Sequence, residues 1–261
     1  MTQRLPHTAG SLAADLRALG LASGDTVLVH CSLREIGFVA GLAQAVAQAL
    51  LDVLGPTGTL VVPTHTTFNS DPAAWRNPPV PAEWWPVIRE QSPGFDPAIT
   101  PSWWVGTLPE IVRKWPGALR SDHPQMSFAA IGARAETVVR DHRLQEGLGE
   151  ASPLGAPCRL RGRILLIGCD HDRNTSLHLA ECRQVPPVMT EYGAAVRRPG
   201  DTSRWVTWTA PLADSSDFAE LGAAYERNGV LAVGMVGDAV ARLMPQAELV
   251  DFATAWMRRF R

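Results

Sequence analysis

The chain has 261 residues, a formal net charge of −2, 46% hydrophobic residues and 19% charged residues. This balance is ordinary for a globular protein and excludes a disordered chain, and the length suffices for one sizeable hydrophobic core. Because proteins that bind nucleic acid usually carry a basic surface, the slight acidity argues against that partner.

The N-terminal sequence and the cysteines predict a cytoplasmic protein. The first ten residues, MTQRLPHTAG, lack the apolar core of a secretion signal, and no run of about 18 apolar residues could span a bilayer. No cluster of Lys and Arg indicates a membrane surface as a partner. The cysteines lack close paired spacing and so indicate neither disulfides nor a zinc ribbon: Cys31, Cys158, Cys169 and Cys182.

The first part of the chain predicts the start of an α/β sheet. Hydrophobic periodicity indicates a helix, a strand, a second helix and a second strand, at residues 8–19, 25–30, 41–54 and 59–63. Thr8 or Ser11 is the expected cap of the first helix. Ligands gather at the carboxyl ends of parallel strands, so His30 and Ser32 occupy a favoured position for chemistry.

A loop-rich insertion is predicted at about residues 64–102, where prolines and tryptophans interrupt the periodicity. A long irregular stretch inside a compact domain is usually functional. Its aromatic rings could stack on sugars and its carboxylates could pair with ammonium groups. Alternatively, the tryptophans only pack the loop onto the body of the protein.

The remaining elements complete one α/β domain over residues 1–261, a layered sheet with flanking helices. An antiparallel hairpin is expected to join residues 192–197 to 204–209. Helices are predicted at 106–115, 134–141, 177–182, 217–228, 238–243 and 249–259, and strands at 126–131, 163–168 and 230–236. Ser215 or Ser216 is the expected cap of the helix at 217–228. No internal repeat or linker marks a second domain.

The stretch at residues 168–181, GCDHDRNTSLHLAE, joins a buried strand to a helix. Thr175 and Ser176 are expected to cap that helix, and His178 falls in its first turn, where the helix dipole disfavours a positive imidazole. Glu181 lies three residues on, on the same face. The spacing by itself fits an ordinary capped helix end as well as a catalytic pair.

Three motifs, in the same order along nearly the whole chain, resemble the aminoglycoside 3-N-acetyltransferase family: VLVHCSL, RSDHPQMSFAAIG and NTSLHLAE. The resemblance implies an enzyme that transfers the acetyl group of acetyl-CoA to the 3-amino group of an aminoglycoside's deoxystreptamine ring, giving antibiotic resistance. No metal is expected. The first motif departs from the family at Cys31, where serine is more usual.

The resemblance also implies which residues act. His30, Thr175 and His178 match motif positions tied to activity in the family. We expect His178 to be the general base of a direct transfer, and Glu181 to orient it or to hold a substrate ammonium group. The Thr175 hydroxyl and the amides at the helix start are expected to stabilise the oxyanion. Cys31 is not expected to act as a nucleophile.

Ligand contacts are expected in the same motifs. The coenzyme contacts are expected at Ser32, Leu33, Ser121, His123 and Ser127, and the substrate contacts at Asp170, Glu181 and Tyr192.

Three alternatives remain open. The protein could acylate a different small amine, or it could sequester a cationic sugar without catalysis. It could also be a metal-dependent hydrolase, although the spacing of the possible ligands matches no established metal motif: Cys169, Asp170, His171, Asp172 and His178.

Overall fold

Nine β-strands are present in the computed structural model, which describes residues 5–197, 200 and 203–261. They are β1 (Thr26–Cys31), β2 (Thr59–Pro63), β3 (Leu119–Arg120), β4 (Phe128–Gly132), β5 (Arg163–Ile167), β6 (Met189–Arg197), β7 (Ser203–Pro211), β8 (Ala232–Val236) and β9 (Ala239–Pro245). The helices are α1 (Ala9–Ala18), α2 (Leu42–Leu54), α3 (Trp85–Gln91), α4 (Thr107–Arg113), α5 (Ala135–Val139), α6 (Gly155–Arg159), α7 (Leu177–Cys182), α8 (Phe218–Asn228) and α9 (Gln246–Phe260).

Seven strands form one mixed sheet in the order β3-β4-β2-β1-β5-β9-β8. β1 is parallel to both β2 and β5, whereas β4 and β9 pair antiparallel with the outer sides of this trio. The three parallel strands therefore end at the same edge of the sheet. The predicted hairpin is confirmed as β6 and β7, which form a separate two-stranded sheet. Apart from Gly200, its predicted turn lies outside the described residues.

The two faces of the sheet pack against two hydrophobic layers. In β1, Val27 and Val29 face the layer that contains α1 and α2, while Leu28 faces the layer that contains α7 and α9. This alternation follows from the two-residue period of a strand. Fully burying such a side chain stabilises the fold by about 1.5–3 kcal/mol, so both faces hold the sheet in place.

The predicted insertion is mostly irregular and contains two short 3₁₀ turns and α3. Asp71 and Arg89 tie it together with an ion pair of 2.7 Å. The Phe68 ring lies 4.7 Å from the Trp103 ring, between centroids, while Trp84 is exposed. Aromatic side chains therefore both pack the segment and face solvent.

The helix predicted at residues 238–243 is wrong. The segment is β9, which follows a turn at Gly237 (φ +61°) and pairs antiparallel with β8. Its burial alternates: Ala241 is buried on the core side and Val240 is exposed on the other. The burial pattern of this segment therefore follows the two-residue period of a half-buried strand and not a helical spacing.

Two predicted helix caps are also wrong, although Thr8 caps α1 as expected. Neither α7 nor α8 has a side-chain cap. At α7, Oδ1 of Asn174 accepts the backbone N–H of Ser176 at 3.2 Å, so this amide has a hydrogen-bond partner two residues earlier in the chain. Within the part of the chain that the structure describes, each helix is too short or too polar to cross a bilayer.

Candidate active site

The candidate site lies where β1 and β5 end side by side. Cys31 and Ile167, the last residues of these strands, are paired in register. After β5 the chain turns at Gly168 (φ +63°), passes through a 3₁₀ turn and enters α7. The sheet edge and the start of α7 therefore bring the first and third sequence motifs together.

An open cleft of about 720 Å³ occupies this edge. Such a volume lies within the range of small-molecule and cofactor sites, about 300–1,000 Å³. Three segments form most of its lining, namely residues 29–34, 104–109 and 168–175 without His171, and His178 belongs to the wall as well.

His178 and Glu181 form a close pair. His178 Nδ1 lies 2.6 Å from Glu181 Oε2, and 15% and 6% of the two side chains are exposed. The ring therefore carries its proton on Nδ1, which donates to the carboxylate, and leaves Nε2 as the acceptor. Within residues 5–197, 200 and 203–261, no protein atom forms a hydrogen bond with His178 Nε2. The Phe218 ring packs against the imidazole, 4.7 Å between centroids.

His178 also borders a second, smaller pocket. That pocket is lined mainly by apolar and aromatic groups, and the rings of Tyr192 and Trp208 stack there at 6.0 Å. The predicted substrate residue Tyr192 thus lies here, where its hydroxyl donates to the carbonyl of Pro211 at 3.0 Å. The volume of this pocket is only about 20 Å³, room for about one water molecule, so the imidazole lies between a large cleft and a small apolar pocket.

His30 is an anchor for the loop that precedes α7. Its Nε2 accepts the backbone N–H of Thr175 at 3.3 Å. Burial, with repulsion from His178 as a second cause, lowers the pKa of His30 to about 3. The imidazole is therefore neutral and its Nε2 is occupied, so His30 is unsuited to be the general base.

The amides at the start of α7 are not free for an oxyanion, contrary to expectation. The N–H of Thr175 donates to His30, and that of Ser176 donates to Asn174 Oδ1. The N–H of Leu177 donates to the carbonyl of Asn174 at 3.1 Å. The Thr175 hydroxyl remains the one predicted oxyanion donor without a protein partner among the described residues, and Thr175 lines the cleft.

The predicted coenzyme contacts separate into two groups. Ser32 and Leu33 line the cleft. Ser121 and Ser127 are buried, with 1% and 0% exposure, and do not reach it. Ser127 Oγ donates to the carbonyl of Thr64 at 2.8 Å, and Ser121 Oγ accepts the N–H of Phe128 at 2.9 Å. Their hydroxyls serve the interior, and the structure does not bring these two residues to the cleft beside Ser32 and Leu33.

His123 lines the second pocket rather than the cleft. Its Nδ1 accepts the backbone N–H groups of Gln125 and Met126, at 3.1 and 2.9 Å. Burial lowers the pKa of His123 to about 4. The ring is thus a neutral support for the turn before β4, with only one face toward the pocket.

The residues that a metal hydrolase would use point apart. Asp170 lies at the rim of the cleft and pairs with Arg242 at 2.9 Å. His171 faces away from the cleft, with Nε2 3.3 Å from Glu226. In the part of the chain that the structure describes, no three His, Cys, Asp or Glu side chains are grouped as a metal ion would require.

Two cleft residues were missed in the sequence. His65 lines the cleft, and burial followed by repulsion from His178 and His30 lowers its pKa to about 3. A signal existed, because His65 lies two residues beyond β2, as Ser32 follows β1. Trp104 stands at the rim with 71% exposure and a φ of +65°, and no sequence pattern indicated it.

A family model described as Aminoglycoside 3-N-acetyltransferase matches residues 28–258. In Bacillus subtilis (strain 168), the SPbeta prophage-derived aminoglycoside N(3')-acetyltransferase-like protein YokD is 42% identical over 252 residues, 96% of this chain and 92% of that protein. Aminoglycoside N(3)-acetyltransferase VII of Streptomyces paromomycinus is 34% identical over 267 residues, with 97% and 92% covered.

Solved structures agree with these relatives. The crystal structure of the Bacillus subtilis protein YokD has a TM-score of 0.94 at 41% identity, covering 98% of this chain and 95% of that one. The structure titled AAC-IIIb binary with CoASH has a TM-score of 0.87 at 31% identity, covering 98% and 97%. With sequence and fold in agreement, the chain belongs to the aminoglycoside 3-N-acetyltransferase family and is an acyltransferase.

Proposed function

We propose that this enzyme transfers the acetyl group of acetyl-CoA directly to the 3-amino group of the deoxystreptamine ring of aminoglycosides, with His178 as general base. The observation that carries the proposal is the position of His178 in the wall of the large cleft, with Nδ1 bonded to Glu181 and with no hydrogen-bond partner for Nε2 among the described residues. Such a modification would give resistance to the antibiotic. We place the reaction in the cytoplasm, where acetyl-CoA is available.

The proposed chemistry needs a neutral amine, because the ammonium form has no lone pair for attack. His178 Nε2 takes a proton from the amine as its nitrogen attacks the thioester carbonyl. The C–N bond forms, the C–S bond breaks, and the coenzyme leaves as a thiolate that recovers the proton from Nε2. Glu181 stabilises the transient imidazolium, and the Thr175 hydroxyl can donate to the developing oxyanion.

The state of Cys31 supports direct transfer without an acetyl-enzyme. Burial, with the nearby Cys169 as a second cause, raises the pKa of the Cys31 thiol to about 12. Only the thiolate is an effective nucleophile, and its population near neutral pH is then very small.

The cleft is the proposed site of the coenzyme. Ser32 and Leu33 line it, and the exposed guanidinium of Arg34 could pair with a phosphate group. The relative AAC-IIIb has been solved with CoASH. No metal is part of the proposal.

For the acceptor, Asp170 at the rim and Tyr192 in the second pocket are the proposed contacts. Asp170 has 71% of its side chain exposed, so its carboxylate can meet a substrate ammonium group. Glu181 is less suited to that contact, because both of its oxygens are already bonded within the protein.

A second candidate function is acetyl transfer to a small amine of lower charge. The second pocket has an apolar and aromatic wall, and its carboxylate, Glu181, is already paired with Arg261. The pocket is too small to hold the acceptor itself, but this apolar border beside His178 suits an acceptor with fewer ammonium groups than an aminoglycoside.

The test is a screen of amines with acetyl-CoA, in which thiol release is measured and the product is identified by mass spectrometry and NMR. Aminoglycosides with and without the deoxystreptamine ring and simple aromatic amines form the panel. We expect acetylation at the 3-amino group of the deoxystreptamine compounds. Turnover confined to the simple amines would favour the second candidate, and binding without thiol release would indicate sequestration.

A further inference from the structure

We infer that Arg261 is a positioning residue for the reaction, acting through Glu181 on His178. The inference rests on the proposed role of His178 as the base. Arg261 follows α9, and its guanidinium reaches Glu181 across 80 positions of sequence, with Nη1 donating to Oε1 at 2.6 Å. The third motif therefore depends on a residue that lies far outside it.

The guanidinium is held in one orientation by several acceptors. Nε donates to Asp217 Oδ2 at 2.7 Å, and Nη2 donates to the carbonyl of Asp214 at 2.9 Å. The Phe218 ring lies 5.8 Å from the centre of the guanidinium, and 28% of the Arg261 side chain is exposed. A partly buried fork with this many fixed partners has little freedom to leave Glu181.

Glu181 divides its two oxygens between the base and the cation. Oε2 accepts from His178 Nδ1 at 2.6 Å, and Oε1 accepts from Arg261. The N–H of Asp214 lies 3.1 and 3.3 Å from the two oxygens. Only 6% of the Glu181 side chain is exposed. A buried carboxylate needs a cation to compensate its loss of hydration, and Arg261 is that cation for Glu181.

Removing the guanidinium should therefore disturb the base without touching either substrate. Without Arg261, the N–H of Asp214 remains beside Glu181 but no cation does, so Glu181 can rotate or take up a proton, and in both cases His178 loses its charged acceptor. The ring could then turn or change tautomer, so that Nε2 no longer faces the amine. Residues that orient a metal-binding histidine through a second contact typically contribute about 10–100-fold to activity, and we expect an effect of the same size for Arg261.

The experiment compares Arg261→Ala, Arg261→Lys and, as the matched control, Arg259→Ala. Arg259 is exposed in the same segment and contacts the ring of Phe260. We expect Arg261→Ala to lower kcat by about 10–100-fold with the KM for acetyl-CoA changed by less than about threefold. Arg261→Lys should recover part of the loss, and Arg259→Ala should match wild type. Thermal unfolding shows whether each variant is folded.

A double-mutant cycle with Glu181→Gln tests whether Arg261 acts through Glu181. If it does, Arg261→Ala should cost little more in the Glu181→Gln background. A general loss of structure would instead lower kcat by the same factor in both backgrounds, which would overturn the inference.

NMR of ¹⁵N-histidine protein provides a readout that needs no acceptor. The Nδ1–H resonance of His178, assigned by its loss in His178→Asn, should shift or broaden in Arg261→Ala and stay unchanged in Arg259→Ala. Wild-type protein that acetylates no amine would refute the proposed function, but this resonance would still decide the role of Arg261. An unchanged resonance in Arg261→Ala would overturn the inference.

Discussion

At the scale of single residues, the histidines of the site differ by their contacts and not by their sequence context. His30 has its Nε2 occupied by the N–H of Thr175 and a pKa of about 3, whereas His178 is bonded at Nδ1 to a carboxylate. Only the second arrangement leaves a basic nitrogen for an amine. Removal of the two rings should therefore have different consequences.

Replacing His178 by Asn should lower kcat by about 10²–10⁴-fold, because the amine then loses its general base. The KM for acetyl-CoA should change little. His7→Asn is the control, since His7 pairs with Asp238 away from the cleft. Steady-state kinetics with both substrates provide the measurement, and a His178→Asn enzyme with wild-type rates would rule out this base.

Cys31→Ser should retain most of the activity. The thiol is kept protonated by its raised pKa of about 12 and has no role in direct transfer. Product formation after rapid mixing should show no burst in either protein. Loss of activity in a folded Cys31→Ser variant would instead point to an acetylated cysteine.

Contacts between residues that are close in the sequence could be predicted, whereas contacts between distant residues could not. His178 and Glu181 are three positions apart on a helix, so their pairing is a local property that spacing reveals. Arg261 and Glu181 are 80 positions apart, and only the folded chain joins them. The place of Ser127 in the interior could not be predicted, because its hydroxyl is an acceptor for the half-buried guanidinium of Arg120, whose Nε donates to Ser127 Oγ at 3.1 Å.

At the scale of elements, periodicity predicted the central strands and long helices but failed at residues 238–243, which form β9. β1 and β2 each contain a short run of apolar residues, at 27–29 and 60–62, and are flanked by turns, which identifies them as buried strands. The sequence of β9, AVARLMP, fits a short helix as well as a strand, and only pairing with β5 and β8 decides between them.

A pair of substitutions in β9 should reveal the strand period. Ala241→Asp places a charge in the core, where the side chain is 0% exposed, and should destabilise the protein by several kcal/mol or prevent folding. Val240 is one residue earlier, on the opposite face of the strand, and is 44% exposed. Val240→Asp should therefore lower the free energy of unfolding by less than about 1 kcal/mol. Urea unfolding measures both, and equal effects would contradict the alternation.

At the scale of the whole molecule, the fold buries several imidazoles in neutral form. Burial is the first cause that lowers the pKa of His30 and His65 to about 3 and that of His123 to about 4. Unfolding returns each ring to water, where its pKa is about 6.5. The unfolded chain therefore binds more protons than the native protein between those values.

The free energy of unfolding should consequently fall as the pH is lowered from about 6.5 toward 4. Above pH 6.5 both states leave these rings neutral and the stabilisation is complete. Below pH 6.5, each buried ring lowers the free energy of unfolding by up to about 1.4 kcal/mol per pH unit, because only the unfolded state takes up the proton.

Urea unfolding at pH 7.5, 6.0 and 5.0 measures this slope. His123→Gln, which cannot be protonated, should give a shallower slope than wild type by up to about 1.4 kcal/mol per pH unit. A free energy of unfolding that stays constant from pH 7.5 to 5.0 would show that the rings are not buried as neutral groups. The histidine-rich edge of the sheet would then have to be more open to water than the packing of β1, β2 and β4 allows.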